Sequence, residues 1–239
     1  MRRLLIVLGA AWLAAVVAGC GGSSAGGSSS GAPGDKTLKV VATTTQVQDF
    51  TRVIGGDRIK LTGILKPNVD PHDFEPSPAD VDAIARADLL VKNGVDLEHW
   101  LDDTISSAGF NGTTVDTSKG VQIRKGGQED PAGDPHIWQN PRNAKIMVAN
   151  IERALASADP ADASYFKANQ DAYDAKLDAL DAEVARRIDG LASNKLVTNH
   201  DAFGYYVDRY HLDFVGSIIP SFDTSAELSA KDVADIVAK

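Results

Sequence analysis

Cysteine occurs once in the 239 residues, at Cys20. A single thiol closes no disulfide within the chain, so an exported domain must be held by its core alone. If that thiol is modified, a metal site has only His, Asp and Glu to draw on. Positive charge is also scarce: 24 Lys and Arg stand against 33 Asp and Glu, a net charge of −9. An acidic surface argues against nucleic acid as a partner and is compatible with attracting cations. Nor does the apolar run Leu4 to Val17 reach the roughly 20 residues that a membrane span needs.

That short run has another use. It follows the basic start Met1-Arg2-Arg3 and ends in Val17-Ala18-Gly19-Cys20, small residues before a cysteine. This is the layout of a secretory signal, and the ending resembles the lipobox at which bacterial lipoproteins are cleaved and lipidated on cysteine. Residues 1–19 are therefore read as a signal peptide, Cys20 as the lipidated residue, and the mature charge as −11 once Arg2 and Arg3 are removed. Residues 20–36 are Gly/Ser-rich, a tether with nothing to bury.

From Thr37 the chain alternates strand and helix patterns. Leu38–Thr43, Ile59–Leu65, Asp88–Gly94 and Thr113–Val115 read as strands. Helices are expected from the Ser77-Pro78 start, around Leu97–Ser107, and over Pro141–Ala158. Such alternation predicts βαβ units and a parallel sheet. Lys119 to Asp134 reads as a surface loop. After Asp159-Pro160 comes a sustained helical spacing through Phe166, Asn169, Tyr173, Leu177, Leu180, Val184, Ile188 and Leu191. A helix of that length, about 45 Å, suits a connection between two halves better than a coiled coil. Strand and helix patterns then resume at Lys195–Thr198, Asp201–Tyr210, Leu212–Ile219 and from Ala230. The expected fold class is α/β: two (β/α) lobes with parallel sheets joined by one long rigid helix. The boundaries are 37–158, 159–191 and 192–239, the last lobe reading as cut short.

Chemistry concentrates in a repeated tripeptide. Asp70-Pro71-His72 returns as Asp134-Pro135-His136, each time with an aromatic residue and a proline downstream. The preceding proline stiffens each loop, and each histidine stands shortly before a helix start. His200 lies in Leu196-Val197-Thr198-Asn199-His200-Asp201, where an apolar strand is expected to end. The three histidines are spaced 64 residues apart, which matches no local zinc motif, so any site must be assembled by the fold. All three fall where a strand hands over to a helix, the edge at which open α/β sheets bind ligands. His72, His136 and His200 are the expected ligands of one Zn²⁺, with Mn²⁺ the alternative. Asp70, Asp134 and Asp201 are the carboxylates placed to accept the far ring N–H of each. His99 and His211 have no such context and receive no metal role. Trp138, Phe203 and Tyr205 are expected to pack around the site.

At this point the chain resembles the metal-binding solute-binding lipoproteins of ABC importers for zinc, manganese or iron. The matching stretches are Pro71–Pro78, Asp134–Trp138, Thr198–Tyr205 and Gly216–Ser221. The resemblance implies two lobes around a single metal in the cleft, an ABC permease as partner, a lipid anchor facing outward, a monomer and no enzymatic activity. Manganese-binding members carry glutamate where this chain has His200, which tilts the expectation to zinc. Two features depart from the family pattern. Lys119–Asp134 contains no histidine, although many zinc members have a His-rich loop there. The family's fourth ligand, a carboxylate near the C-terminus, falls beyond Lys239, so either the chain is cut short or water takes that place. The competing readings are a zinc-dependent hydrolase, for which Glu75 is the best base but no HExxH exists, and a surface adhesin stabilised by metal.

Overall fold

Val40 and Ala42 point to one side of the first strand and Val41 to the other, and both sides are buried. A strand covered on both faces belongs in a parallel sheet with helices above and below. The computed structural model, which describes residues 37–126, 131–224, 226 and 230–238, has this sheet. The residues read as signal peptide (1–19), as the lipidated Cys20 and as the tether lie outside the described residues.

The first sheet runs β2-β1-β3-β4, all parallel: β1 Leu38–Ala42, β2 Ile59–Gly63, β3 Leu89–Lys92 and β4 Thr113–Asp116. One face is covered by α1 (Thr45–Gly55) and α4 (Pro141–Ala158) through Val47, Ile54, Met147 and Ile151. The other is covered by α2 (Pro78–Ala85) and α3 (Leu101–Ala108) through Ile84 and Leu101. Helix α2 begins as its sequence predicts. The Ser77 hydroxyl accepts from the Asp80 amide, the Asp80 carboxylate accepts from the Ser77 amide, and Pro78 occupies the first turn.

Three local readings change. The stretch before Gly55, given no element from its pattern, is α1: Thr44 caps it, and Val47, Phe50 and Ile54 lie on its buried face. Helix α3 begins at Leu101 rather than Leu97. Val95 and Asp96 take φ of +56° and +57°, so the chain turns left-handed before the helix can start. Glu98 holds this turn from below. It is buried and accepts from the Thr43 hydroxyl (2.6 Å) and from the amides of Asn93 (2.7 Å) and Gly94 (3.2 Å). The stretch expected as a surface loop is anchored at both ends, because Val121 and Asp134 are buried.

The long helix is α5, Ala163–Asp189, 27 residues after a 3₁₀ turn at Pro160–Asp162. It packs on α4 and α1, with Phe166 and Leu177 buried. The apolar stripe read from the sequence is only half covered: Leu180 and Leu191 remain 49% and 57% exposed. Its other attachment is ionic. Asp181 accepts from Arg142 of α4 (3.3 Å) and from Arg209 (2.8 Å) and Tyr210 (3.0 Å). Burial alone would raise the Asp181 carboxyl, but these donors overcome it and hold the group below its ordinary range.

A second parallel sheet pairs β5 (Lys195–His200) with β6 (Asp213–Ile219), with an irregularity at Leu196/Val197. Helix α6 (Gly204–Tyr210) connects the two strands, and α7 (Ala230–Val237) packs on β6.

Candidate metal centre

The strand order β2-β1-β3 reverses direction at β1, and the loops at the carboxyl ends there border a crevice. His72 lies in the loop between β2 and α2, His136 in the loop before α4, and His200 is the last residue of β5. The fold brings the three rings together. His136 Nε2 stands 3.4 Å from His72 Nε2 and 3.3 Å from His200 Nε2, and all three lie within 4.8 Å of one another. They line a cavity of about 380 Å³ with Asp70, Trp138 and Phe203 among its walls.

Each imidazole is oriented differently. His136 is almost fully buried, and Asp134 Oδ1 meets both its backbone amide and its ring Nδ1 at 2.9 Å. A carboxylate at Nδ1 fixes the proton there and leaves the Nε2 lone pair facing the other rings. The Asp134 side chain is itself fully enclosed, and Oδ2 accepts from Arg124 at 2.6 Å. Arg124 reaches onward to Asp208 of α6 (2.9 Å). The Tyr205 hydroxyl donates to the Asp134 carbonyl (2.8 Å) and accepts from the Arg124 amide (3.0 Å). Burial first, with the nearby Asp134 charge, pushes that phenol up to about 12, so it stays protonated and able to donate. Asn93 closes the ring of supports by donating to the Pro135 carbonyl (2.9 Å).

Elsewhere the expected carboxylates take other contacts. Asp70 Oδ1 accepts from the His72 backbone amide (3.0 Å), and Oδ2 from the Thr224 hydroxyl (2.6 Å); it shapes the loop around His72. At His200 the acceptor facing Nδ1 is the Asn199 side-chain oxygen, at 3.0 Å. The Asp201 amide donates to the Ser221 carbonyl (3.0 Å), and its carboxylate adds to the field on Arg124. Arg124, Tyr205 and Asn199 are the residues that pattern reading missed or assigned to packing. The one available signal was Arg124, the only arginine between Lys119 and Asp134. Trp138 does pack edge-on against His136, with centroids 5.4 Å apart.

The His72 ring is held neutral. Burial, then the neighbouring His136, lowers its pKa from 6.5 to about 4, and burial with His136 also lowers His200. Because the folded value of His72 lies below the unfolded one, the metal-free protein should lose stability as pH falls from 6.5 through about 4. NMR titration of the metal-free chain is expected to show the His72 ring protonating near pH 4. A midpoint at the ordinary 6.5 would show the ring to be solvated.

His99, assigned no role from its sequence, is also not isolated. Its Nδ1 lies 3.2 Å from Asp96 Oδ2 and its Nε2 3.9 Å from Asp223 Oδ2. His72, His99 and Asp223 can each present an atom within 4.8 Å of the others.

Imidazoles converging on one point at a C-terminal sheet edge are suited to holding a soft or borderline divalent cation. Comparison with known proteins gives that chemistry a class: the protein is a metal-binding substrate-binding protein of the ABC transporters. The chain belongs to the family described as zinc-uptake complex component A, periplasmic (ZnuA), which matches residues 40–239. It is 32% identical over 248 aligned positions to the iron ABC transporter substrate-binding lipoprotein MtsA of Streptococcus pyogenes serotype M1, covering 100% of this chain and 78% of that one. The manganese ABC transporter substrate-binding lipoprotein PsaA of Streptococcus anginosus is 32% identical, over 87% of this chain and 70% of its own. Among solved structures, the periplasmic zinc-binding protein TroA of Treponema pallidum superposes with a TM-score of 0.78 at 29% identity. That alignment covers 84% of this chain and 73% of TroA. The relatives thus name iron, manganese and zinc. Among the described residues, no helix is long and apolar enough to cross a membrane.

Proposed function

We propose that this chain captures one zinc ion between His72, His136 and His200 outside the cytoplasmic membrane and delivers it to an ABC permease. The observation that carries this reading is the pair of Nε2···Nε2 separations, 3.3 and 3.4 Å. Nitrogens bound to one tetrahedral zinc at about 2.0–2.1 Å stand about 3.3–3.4 Å apart. With Nδ1 of His136 and His200 facing acceptors, their Nε2 lone pairs point at each other, an arrangement that a shared cation relieves. Among the described residues, the three-histidine group includes no carboxylate. An all-nitrogen set suits zinc better than manganese, and a water or a further ligand completes the coordination.

The remaining assignments follow from the same reading. Asp134 supports His136 at the ring, while Asp70 and Asp201 support the His72 and His200 loops. Cys20 carries the lipid that tethers a monomer to the outer side of the membrane. Residues 37–158 and 192–239 act as lobes on either side of the 159–191 helix. The base that the hydrolase reading singled out, Glu75, is exposed and does not line the cavity.

Most nitrogen or oxygen sites bind zinc more tightly than manganese, so the ratio of the two affinities in one protein is not diagnostic. The change in that ratio is. Competition titrations with Zn²⁺ and Mn²⁺ on the wild type and on His200→Glu are expected to show the zinc preference falling by about tenfold or more, about 1.4 kcal/mol. An unchanged ratio would mean that His200 does not touch the ion.

A further inference from the structure

Beside His72, a small second cavity of about 40 Å³ is bordered by His72, Asp96, His99, Pro135, Phe222 and Asp223. Such a volume admits one ion with a water or two. We infer that His99, Asp223 and His72 form a second, weaker site for a divalent transition-metal ion, which stages the cargo before it reaches the three-histidine centre.

Three observations support it. The donor set is mixed imidazole and carboxylate, and all three residues can bring one ligand atom within 4.8 Å of the others. The His99 Nε2 to Asp223 Oδ2 separation of 3.9 Å exceeds a hydrogen bond, so the two atoms face each other with space between them. And His99 has its own orienting carboxylate: Asp96 Oδ2 stands 3.2 Å from Nδ1, as Asp134 does at His136. That pairing leaves the His99 Nε2 lone pair directed toward Asp223. The left-handed turn at Val95 and Asp96 is what sets Asp96 in that position.

Exposure assigns the order of events. The His99 side chain is 53% exposed and that of Asp223 29%, whereas that of His136 is 3% exposed. An ion arriving from water meets the outer pair first. His72 belongs to both groups, and a neutral imidazole has one ring lone pair to give. It therefore serves one ion at a time, so transfer inward is a change of partners around His72 and the two sites compete for it. The outer site has fewer buried donors and is the weaker of the two.

The inference rests on His72 being a ligand of the inner site, and the test separates the two claims. Calorimetric titration of the purified chain with zinc chloride is expected to show two events, the second weaker. His99→Ala and Asp223→Asn should each weaken the second event by at least about tenfold and leave the first in place. His136→Ala should remove the first and keep the other, now with His72 free to serve it. Circular dichroism checks that each variant is folded; if His99→Ala is not, Asp223→Asn decides. A single event in the wild type overturns the staging site and leaves the inner one standing. So does a second event unchanged in both outer variants, or one lost only in His211→Ala, which marks adventitious binding at a surface histidine. A first event that survives His136→Ala overturns the inner-site reading instead.

Discussion

Zinc affinity in His136→Ala is expected to fall by more than the roughly 100-fold that marks the upper range for residues acting behind a ligand. The ring contributes the nitrogen common to both short separations, 3.3 Å to His200 and 3.4 Å to His72. Without it, the two remaining imidazoles keep a chelate with no central member, and their ring centroids are 6.1 Å apart. The loop should survive the change. Asp134 still accepts from the backbone amide of residue 136, and Asn93 still holds the Pro135 carbonyl. Removing a buried ring costs stability, about 1–3 kcal/mol, but does not dissolve the fold. Competition against a chromophoric chelator reads the affinity, and urea unfolding reads the stability. Wild-type affinity in a folded variant would sink the three-histidine site.

The second large effect is expected at Asp134, a residue that touches no ion in the proposed site. Its enclosed carboxylate meets Arg124 on one oxygen and His136 on the other. In Asp134→Asn one oxygen can still accept from His136, but an amide NH₂ then faces the guanidinium, donor against donor. The buried side of Arg124 loses its counter-charge. Removing one member of a buried ion pair costs about 3–5 kcal/mol. Here the expected loss is about 2–4 kcal/mol, because Arg124 is 31% exposed and keeps Asp208. Zinc affinity should drop about tenfold, because a neutral amide oxygen holds the His136 ring N–H more weakly than a carboxylate and makes the ring a less basic ligand. Urea unfolding with and without saturating zinc measures both. Pairing Asp134→Asn with Arg124→Met removes the orphaned charge and should recover most of the stability but not the affinity. Asp134→Asn as stable as the wild type would show that the ion pair is not what anchors this loop.

Much of the scaffold was legible because its signals are local. The apolar run within Leu38–Ala42, the Ser77-Pro78 cap and the spacing that makes α5 all depend on residues a few positions apart. Local signals also misled where a distant partner decides. The α5 stripe promised a covered face out to Leu191, but full burial ends at Leu177, and Leu180 and Leu191 stand exposed. The start of α3 moved because Glu98 clamps amides on a left-handed turn, which no periodicity encodes.

The histidines divide along the same line. A repeated Asp-Pro-His is visible in the chain, and proline beside a helix start says that the ring sits on a stiff loop. Which group meets each ring nitrogen is not visible. Asp134 does so at His136, Asn199 at His200, and Asp70 binds a backbone amide instead. Arg124 and Tyr205 join Asp134 across 10 and 71 positions.

The order of residues alone thus determined most of the elements, the parallel α/β character and the three histidines to watch, since propensity, capping and hydrophobic period act within a few turns of chain. Tertiary structure alone decided that rings 64 positions apart meet within 3.4 Å, and that His99 joins Asp223 beside them. The physical reason is that distance between remote residues is set by how whole sheets and helices pack, and packing leaves no period in the sequence.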